Sequence, residues 1–353
     1  MKNFLKRFRK SIVILVVTLT LFLLSYLLTT FCTQSKILYS FMPDPSSGEN
    51  LSFMFYEASL DSPLELKQIG EASPGKMPGR DMFLLQKDDG RLYGAVTNYD
   101  LAQGIEAIIY SGYAPSDFTA HYVNLGIRNL SGASNKSPKK VWAPEFFEDS
   151  DGLTYLFSAA NDVDDMVDKD GAVIPRHSIY RSKINLDDFN TMETVQVHLK
   201  DGKTYIDPHV FYKDGSYHML IKDEYQKTID YYQSKDLDNW NLVQEDFISH
   251  AVGESIDYTE GQFVMKVKGA YYIFWDKYIT TGNFKKNQYV ITTRDFKHFS
   301  KPRVVTDSKK RILRHGSGIV YEKKPYHLIL ITRVMGIVVL LIFAVSFLRI
   351  LTK

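Results

Sequence analysis

The chain has 353 residues, 44% of them hydrophobic, 14% aromatic and 24% charged, with 43 basic against 41 acidic side chains. That content excludes a disordered chain, and the length suffices for one large core or two ordinary ones. Without the eight basic residues at the two ends, the remainder carries a net charge of −6, the wrong sign for a nucleic-acid binder.

Residues 1–10 hold Lys2, Lys6, Arg7, Arg9 and Lys10 and no acid. This basic tail is expected to stay in the cytoplasm. An uncharged run follows over 11–31, and a helix of that length spans roughly 30 Å, the thickness of a bilayer core. No small-x-small cleavage signal succeeds it, so the sequence predicts an uncleaved signal anchor. Cys32 is the single cysteine, and the fold therefore rests on its core rather than on an intramolecular disulfide. Residues 32–50 read as a linker.

Strands dominate 51–332. Runs of Tyr, Phe, Val and Ile alternate with Asp-Gly, Lys-Asp-Gly or Lys-Gly turns. A hairpin unit recurs five times, over 80–96, 144–159, 206–222, 259–275 and 314–330. The copies open on Asp81, Glu145, Asp207, Glu260 and His315, and each carries a Tyr ten to twelve residues later: Tyr93, Tyr155, Tyr217, Tyr271 and Tyr326. A second unit, a strand followed by an Asp and then an aromatic or apolar residue, follows the first four hairpins at 108–118, 179–189, 231–240 and 290–299. Its fifth copy stands at the other end of the chain, over 53–66. Five repeats of four strands, the last split between the chain ends, describe a closed ring. The sequence predicts an all-β fold, a five-bladed β-propeller, in preference to a β-sandwich with chance repeats.

The residues 334–348 are uncharged between Arg333 and Arg349. They predict a second transmembrane helix within 333–353, ending in a short cytoplasmic tail. With two spans the chain is an integral protein of a bacterial cell membrane, and the propeller lies on the extracellular side. The sequence specifies no oligomeric state.

The innermost strand of every blade lines the axis, so the five openers converge on one funnel. Two Asp, two Glu and one His gathered there raise one another's pKa and cost stability, which a purely structural protein has little reason to accept. Enzymes use such a group to hold one carboxyl protonated and another ionised, and two carboxyls across a sugar ring are the minimum for glycosidic cleavage. The acidic loop 161–171 fails the calcium-loop pattern, because Met166 and His177 stand where ligands are needed. It reads as a solvated loop on the funnel side, between the second and third strands of the second blade.

The ordered set Arg80-Asp81, Trp142-Ala143-Pro144-Glu145, Ile206-Asp207-Pro208, Glu260-Gly261 and His315-Gly316 resembles glycoside hydrolase family 43, over nearly all of 51–332. The resemblance implies a five-bladed propeller acting on arabinan- or xylan-type or other cell-envelope oligo- and polysaccharides. By it, Asp81 is the general base, Glu260 the general acid and Asp207 the residue that tunes the acid, in an inverting reaction. Arg80, Trp142, Glu145 and His315 are expected to bind or organise the substrate. No cofactor is required, although a calcium lies near the equivalent of His315 in some members. Met82 and Gln262 stand where the family commonly has proline, which alters the local loops. Two other readings are a catalytically inactive carbohydrate-binding propeller and a fructan-active propeller. The latter normally shows a Trp-Met-Asn-Asp-Pro stretch, which this chain lacks.

Overall fold

The computed structural model describes residues 2–98, 106–127, 140–161, 165–199 and 203–351. The chain divides into two units, 36–321 and the paired ends 1–35 and 322–353. The first unit is a ring of five four-stranded antiparallel sheets. Blade I comprises Arg80–Gln86, Leu92–Thr97, Glu106–Gly112 and Thr119–Asn124. Blade II comprises Val141–Glu148, Thr154–Ala160, Ser178–Asn185 and Asn190–Gln196. Blade III comprises Tyr205–Lys213, Ser216–Asp223, Thr228–Ser234 and Trp240–Gln244. Blade IV comprises Thr259–Val267, Ala270–Lys277, Asn287–Thr293 and Arg303–Val305.

Burial follows position in the blade. The second strands of blades I and II are buried along their whole length, because neighbouring blades cover both faces. The outermost strands, such as Trp240–Gln244, alternate between buried and open positions, as a half-solvated strand does. Five apolar clusters fill the five spaces between blades. Ile109 meets Leu156 and Tyr180 between I and II; Phe157 meets Tyr205 and Tyr232 between II and III. Leu220 meets Ile273 and Trp275 between III and IV. Phe41 and Tyr56 meet Phe263 and Phe274 between IV and V, and Phe53 and Phe55 meet Leu84 and Tyr110 between V and I.

Blade V closes the ring and corrects two expectations. Its inner strand is Leu313–Lys323, from the C-terminal side, and its next three are Gln34–Pro43, Phe53–Ala58 and Lys67–Ala72. Residues 34–43 are thus a core strand rather than linker, with Ile37, Tyr39 and Phe41 fully buried. Conversely, Tyr326 starts a helix, where a fifth hairpin strand was expected. The hairpin partner of Leu313–Lys323 comes from the far end of the chain, so no local turn signal could mark it.

Closure depends on two glycines. A Cβ at Gly316 would lie 2.2 Å from the Phe41 ring, and one at Gly318 would lie 2.6 Å from the Tyr39 ring. The rings of the N-terminal strand therefore rest on bare backbone of the C-terminal one. Gly316→Val is expected to cost about 3 kcal/mol of unfolding free energy through overpacking. Gly75→Ala, with open space around the added methyl, should stay within about 0.5 kcal/mol. Chemical denaturation of the two variants checks this, and equal midpoints would refute it.

The second unit holds two helices, Lys2–Phe31 and Tyr326–Leu351. The first contains an apolar stretch, Phe8–Leu28, long enough to cross a membrane. The apolar stretch of the second, Leu330–Val345, is shorter than the usual span, and Arg333 lies inside the helix rather than at its border. The two helices meet along stripes of heptad spacing: Ile14, Thr18, Leu21, Ser25 and Leu28 on one, Thr332, Gly336, Val339 and Phe343 on the other. A Cβ at Gly336 would come within 3.3 Å of the Phe22 ring, the close approach that small residues permit between apolar helices.

Candidate active site

The inner strands break at one common level. The pairing register slips between Arg80 and Phe83, Trp142 and Glu145, Ile206 and His209, and Glu260 and Phe263. At that level one residue per blade is left-handed: Asp81 at φ 58°, Ala143 at 42°, Asp207 at 53°, Gly261 at 57° and His315 at 38°. A bulge bends its strand and re-aims a side chain, and a left-handed non-glycine residue costs about 1–2 kcal/mol. The surroundings hold the strain. Ala143 N–H donates to Thr97 Oγ1 at 2.8 Å, Gly261 N–H to Asp207 Oδ2 at 3.1 Å, and His315 N–H to Asp276 Oδ2 at 2.8 Å. The bulges of blades II, IV and V are thus each tied to a side chain of the blade before.

The bulges correct the equivalence of the five openers. Asp81, Asp207 and His315 share the left-handed position. Glu260 stands one residue earlier, level with Arg80, Trp142, Ile206 and Arg314. Glu145 stands two residues later, level with Phe83, His209, Phe263 and Ser317.

Three carboxylates nevertheless reach one point. Nε2 of His315 lies 4.0 Å from Asp81 Oδ1, 3.8 Å from Asp207 Oδ2 and 3.7 Å from Glu260 Oε1. No two of those oxygens are therefore more than about 8 Å apart, which is within the span of one sugar ring and a water. Asp81, Asp207 and His315 border a pocket also lined by Met82, Phe83, Glu145, Gly261 and Gly316, with Glu260 set behind Gly261. Thr97 Oγ1 lies 3.4 Å from Asp81 Oδ2, so its hydroxyl links the Asp81 carboxylate to the bulge of blade II.

Both oxygens of Glu260 are occupied. Lys222 Nζ donates to Oε2 at 2.6 Å and Arg314 Nη2 to Oε1 at 2.8 Å. Burial pushes the Glu260 pKa up, but the charges of Lys222, His315 and Arg314 outweigh it and bring it down to about 2. Asp207 goes the other way. Burial, with the charges of Glu260 and Asp81, takes it up to about 7 against the pull of His315 and Lys222. Burial raises Glu145 well above the usual carboxylate range. For His315, burial works against the charged ring, yet the charges of Asp81 and Glu260 and the contact with Asp276 raise it to about 10. In this arrangement the proton that titrates nearest neutrality belongs to Asp207.

The remaining predicted residues divide. Arg80 is half-exposed at the funnel rim, its Nε 4.0 Å from Asp81 Oδ1. Trp142 is partly buried against the cluster between blades II and III, and the Lys140 ammonium lies 5.2 Å from its ring centroid. Glu145 is turned to a neighbour: its Oε2 is 2.8 Å from His209 Nδ1, while His209 Nε2 accepts the Val264 N–H at 2.9 Å. Burial takes His209 down to about 3, so a neutral imidazole clips blades II, III and IV together. Part of the acidic loop, residues 162–164, lies outside the described residues. The rest forms a short hairpin, Met166–Val167 with Val173–Ile174. It docks on the 223–228 turn of blade III through Asp168 and Lys227, 3.3 Å apart, and reaches Tyr258, whose hydroxyl donates to Asp170 Oδ2 at 3.1 Å. Asp168 is buried there and its Oδ1 accepts the N–H groups of Asp170 and Ala172, so this part of the loop is docked on the blade where a solvated loop was expected.

Sequence reasoning passed over Lys222, Asp276 and Arg314. Lys222 and Asp276 close the second strands of blades III and IV, beside the inner-strand bulges, so strand position was the signal available. Arg314 precedes His315 as Arg80 precedes Asp81, a likeness visible in the repeats themselves.

A calcium near His315 does not suit these side chains. Glu260, Asp276 and His315 offer ligand atoms within 4.8 Å of one another. However, both Glu260 oxygens already bind cations, Asp276 Oδ2 holds the His315 N–H, and Arg314 Nε is 3.6 Å from that same oxygen. A hard divalent ion takes six to eight oxygen ligands, waters among them, and of the Glu260 and Asp276 carboxylate oxygens only Asp276 Oδ1 makes no hydrogen bond. Here fixed cations of the protein take that place.

Residues 65–285 match the family described as "Probable glycosyl hydrolase domain", a relative of glycosyl hydrolase family 43. No curated protein matches the chain in sequence. Among solved structures, an endo-1,4-beta-xylanase from Bacteroides thetaiotaomicron is similar with a TM-score of 0.53 and 15% identity, over 80% of this chain and 96% of that one. An alpha-L-arabinofuranosidase from Clostridium thermocellum gives 0.53 and 11%, over 76% and 90%. The family-43 protein BlXynB from Bacillus licheniformis gives 0.45 and 15% over 63% of this chain, which spans 41% of that protein's length. At these identities the likeness is one of fold.

Proposed function

The chain belongs to the family-43-related glycosyl hydrolases, and from that membership we propose that it is a membrane-anchored, inverting glycosidase acting on a cell-envelope or arabinofuranosyl- or xylosyl-type glycan outside a bacterial cell. The observation that carries the reading is the placement of Asp81, Asp207 and Glu260 within 4.0 Å of one His315 nitrogen. Asp81 takes a proton from water, whose oxygen attacks the anomeric carbon. The glycosidic bond breaks on the opposite face, and Glu260 gives its proton to the departing oxygen. Asp207, on the bulge between them, orients the sugar and opposes full ionisation of the pair. Glu260 must first gain that proton. A sugar hydroxyl that takes over the Arg314 hydrogen bond weakens the hold of one of the three cations that keep it ionised. The anchor is the apolar stretch Phe8–Leu28, with the basic tail on the cytoplasmic side.

The clamp on Glu260 by Lys222 and Arg314 favours a second reading, a propeller that binds glycans without turnover. A panel of aryl glycosides separates the two: α-L-arabinofuranoside, β-D-xyloside, β-D-galactoside and α-L-fucoside, with proton NMR of the first-formed sugar. Hydrolysis with the opposite anomer appearing first is expected. Calorimetric binding with no turnover of any member would establish the second reading instead, and a retained anomer would overturn the inverting mechanism.

A further inference from the structure

The deepest charged contact of the site belongs to a residue with no role so far. Asp276 is fully buried at the end of the second strand of blade IV. Its Oδ2 accepts the His315 N–H at 2.8 Å and lies 3.0 Å from His315 Nδ1, somewhat off the ideal hydrogen-bond line. One carboxylate thus fixes both the left-handed backbone of His315 and one edge of its ring. The other edge presents Nε2 to Asp81, Asp207 and Glu260 at 3.7–4.0 Å. Gly261 completes the seat. A Cβ there would lie 3.2 Å from His315 Cδ2 and 3.3 Å from Asp276 Oδ2. The glycine after Glu260 is what lets the ring and the carboxylate meet.

We propose that Asp276 is a positioning residue for hydrolysis: it locks His315 as an imidazolium at the propeller axis, a fixed positive charge shared by the three carboxylates in the place where a metal ion could otherwise serve.

The charge balance around the ring agrees with this. Asp81, Glu145, Asp207 and Glu260 face His315 from blades I to IV, and Asp276 backs it. Arg314 beside it and Lys222 beyond Glu260 are the opposing cations. Acids outnumber bases around the ring, so it keeps its proton despite burial, in line with its raised pKa of about 10. A neutral imidazole would leave Asp81, Asp207 and Glu260 to repel one another across less than 8 Å.

The test is a titration of the His315 ring by nitrogen-15 NMR in the full-length chain, with His315→Gln identifying the signal. The wild-type ring should stay protonated from pH 5.5 to 8.5. In Asp276→Asn its midpoint should fall by more than one pH unit. A wild-type ring that titrates between pH 6 and 7 overturns the proposal, and so does an Asp276→Asn ring that stays charged. A wild-type ring that titrates near neutrality overturns the proposal even if the variant does not fold. The kinetic arm rests on the hydrolase reading. In Asp276→Asn the alkaline limb of the kcat/KM profile should move to higher pH, because the charge that opposes protonation of Glu260 is gone. A merely structural role lowers kcat with that limb unmoved. Since the ring titration needs no turnover, a chain that binds without hydrolysis leaves this inference standing or falling on its own.

Discussion

Asp81→Asn is expected to abolish hydrolysis of every glycoside the wild-type chain cleaves, with a loss of about 10³-fold or more in kcat and little change in melting temperature. Asp81 sits in the left-handed region at φ 58°, where Asn is tolerated almost as well and Ala is not. The substitution therefore keeps the bulge, the Thr97 contact and the shape of the pocket, and removes only the capacity to take a proton. Its neighbours sharpen the result. Glu260→Gln should lose comparable activity on substrates with poor leaving groups, yet retain far more on a dinitrophenyl glycoside, which departs without a proton. Asp81→Asn should lose both equally, because the same base-assisted displacement by water is needed whichever group departs. Steady-state kinetics on the paired substrates check this. Equal losses for both variants on both substrates would end the assignment of base and acid, and full activity in Asp81→Asn would end the catalytic role of Asp81.

The ring was legible in the sequence because each blade is a local object. A hairpin such as 206–222 carries its own turn, Asp214-Gly215, and its own alternation, so five copies can be counted without any contact between them. What the sequence hid is what joins distant segments. Residues 34–43 follow the N-terminal helix and pair with a strand nearly 280 residues away, so no local turn marks them as half of a hairpin. The bulges hid the true equivalence of the site residues. A left-handed residue inserted into each inner strand shifts the alternation by one, and Asp81, Ala143, Asp207, Gly261 and His315 share no side-chain chemistry by which to be aligned. Backbone geometry, not residue type, is what recurs there. The partners that set the charges, Lys222 and Asp276, lie on second strands whose sequences read as ordinary core (SYHMLIKD and AYYIFWDK). The polar ends of those strands were the only trace of a site.

Lys222→Met should move the alkaline limb of the pH–rate profile upward by about one to three pH units, the effect of removing an opposite charge beside a carboxylate. Lys222 is almost fully buried. Its ammonium touches Glu260 Oε2 and Glu224 Oε1, both at 2.6 Å, and lies 4.7 Å from the centre of the Tyr278 ring. Met fills most of the same volume and keeps a contact with the ring, while Glu224 keeps Lys227 at 3.4 Å. What changes is the charge at Glu260. Its pKa, held at about 2 in the folded chain, rises when one of its three cations goes, so the acid stays protonated to higher pH and the limb that reports its loss rises with it. The same linkage has a stability side. A depressed carboxylate contributes stability that is present above its unfolded pKa near 4.5 and is lost as pH falls through the folded value. Wild-type resistance to denaturant should therefore drop between pH 4.5 and about 2, and the part of that drop due to Glu260 should shrink in Lys222→Met. His315 has the opposite sign. Its raised pKa contributes stability present below about 6.5 and lost toward 10, and Lys222→Met should not reduce that alkaline loss. Denaturation midpoints across pH, set beside the rate profile, test both halves. An unmoved alkaline limb with an unchanged acid drop would mean that Lys222 does not govern Glu260, and the clamp would then count as evidence for a binding propeller.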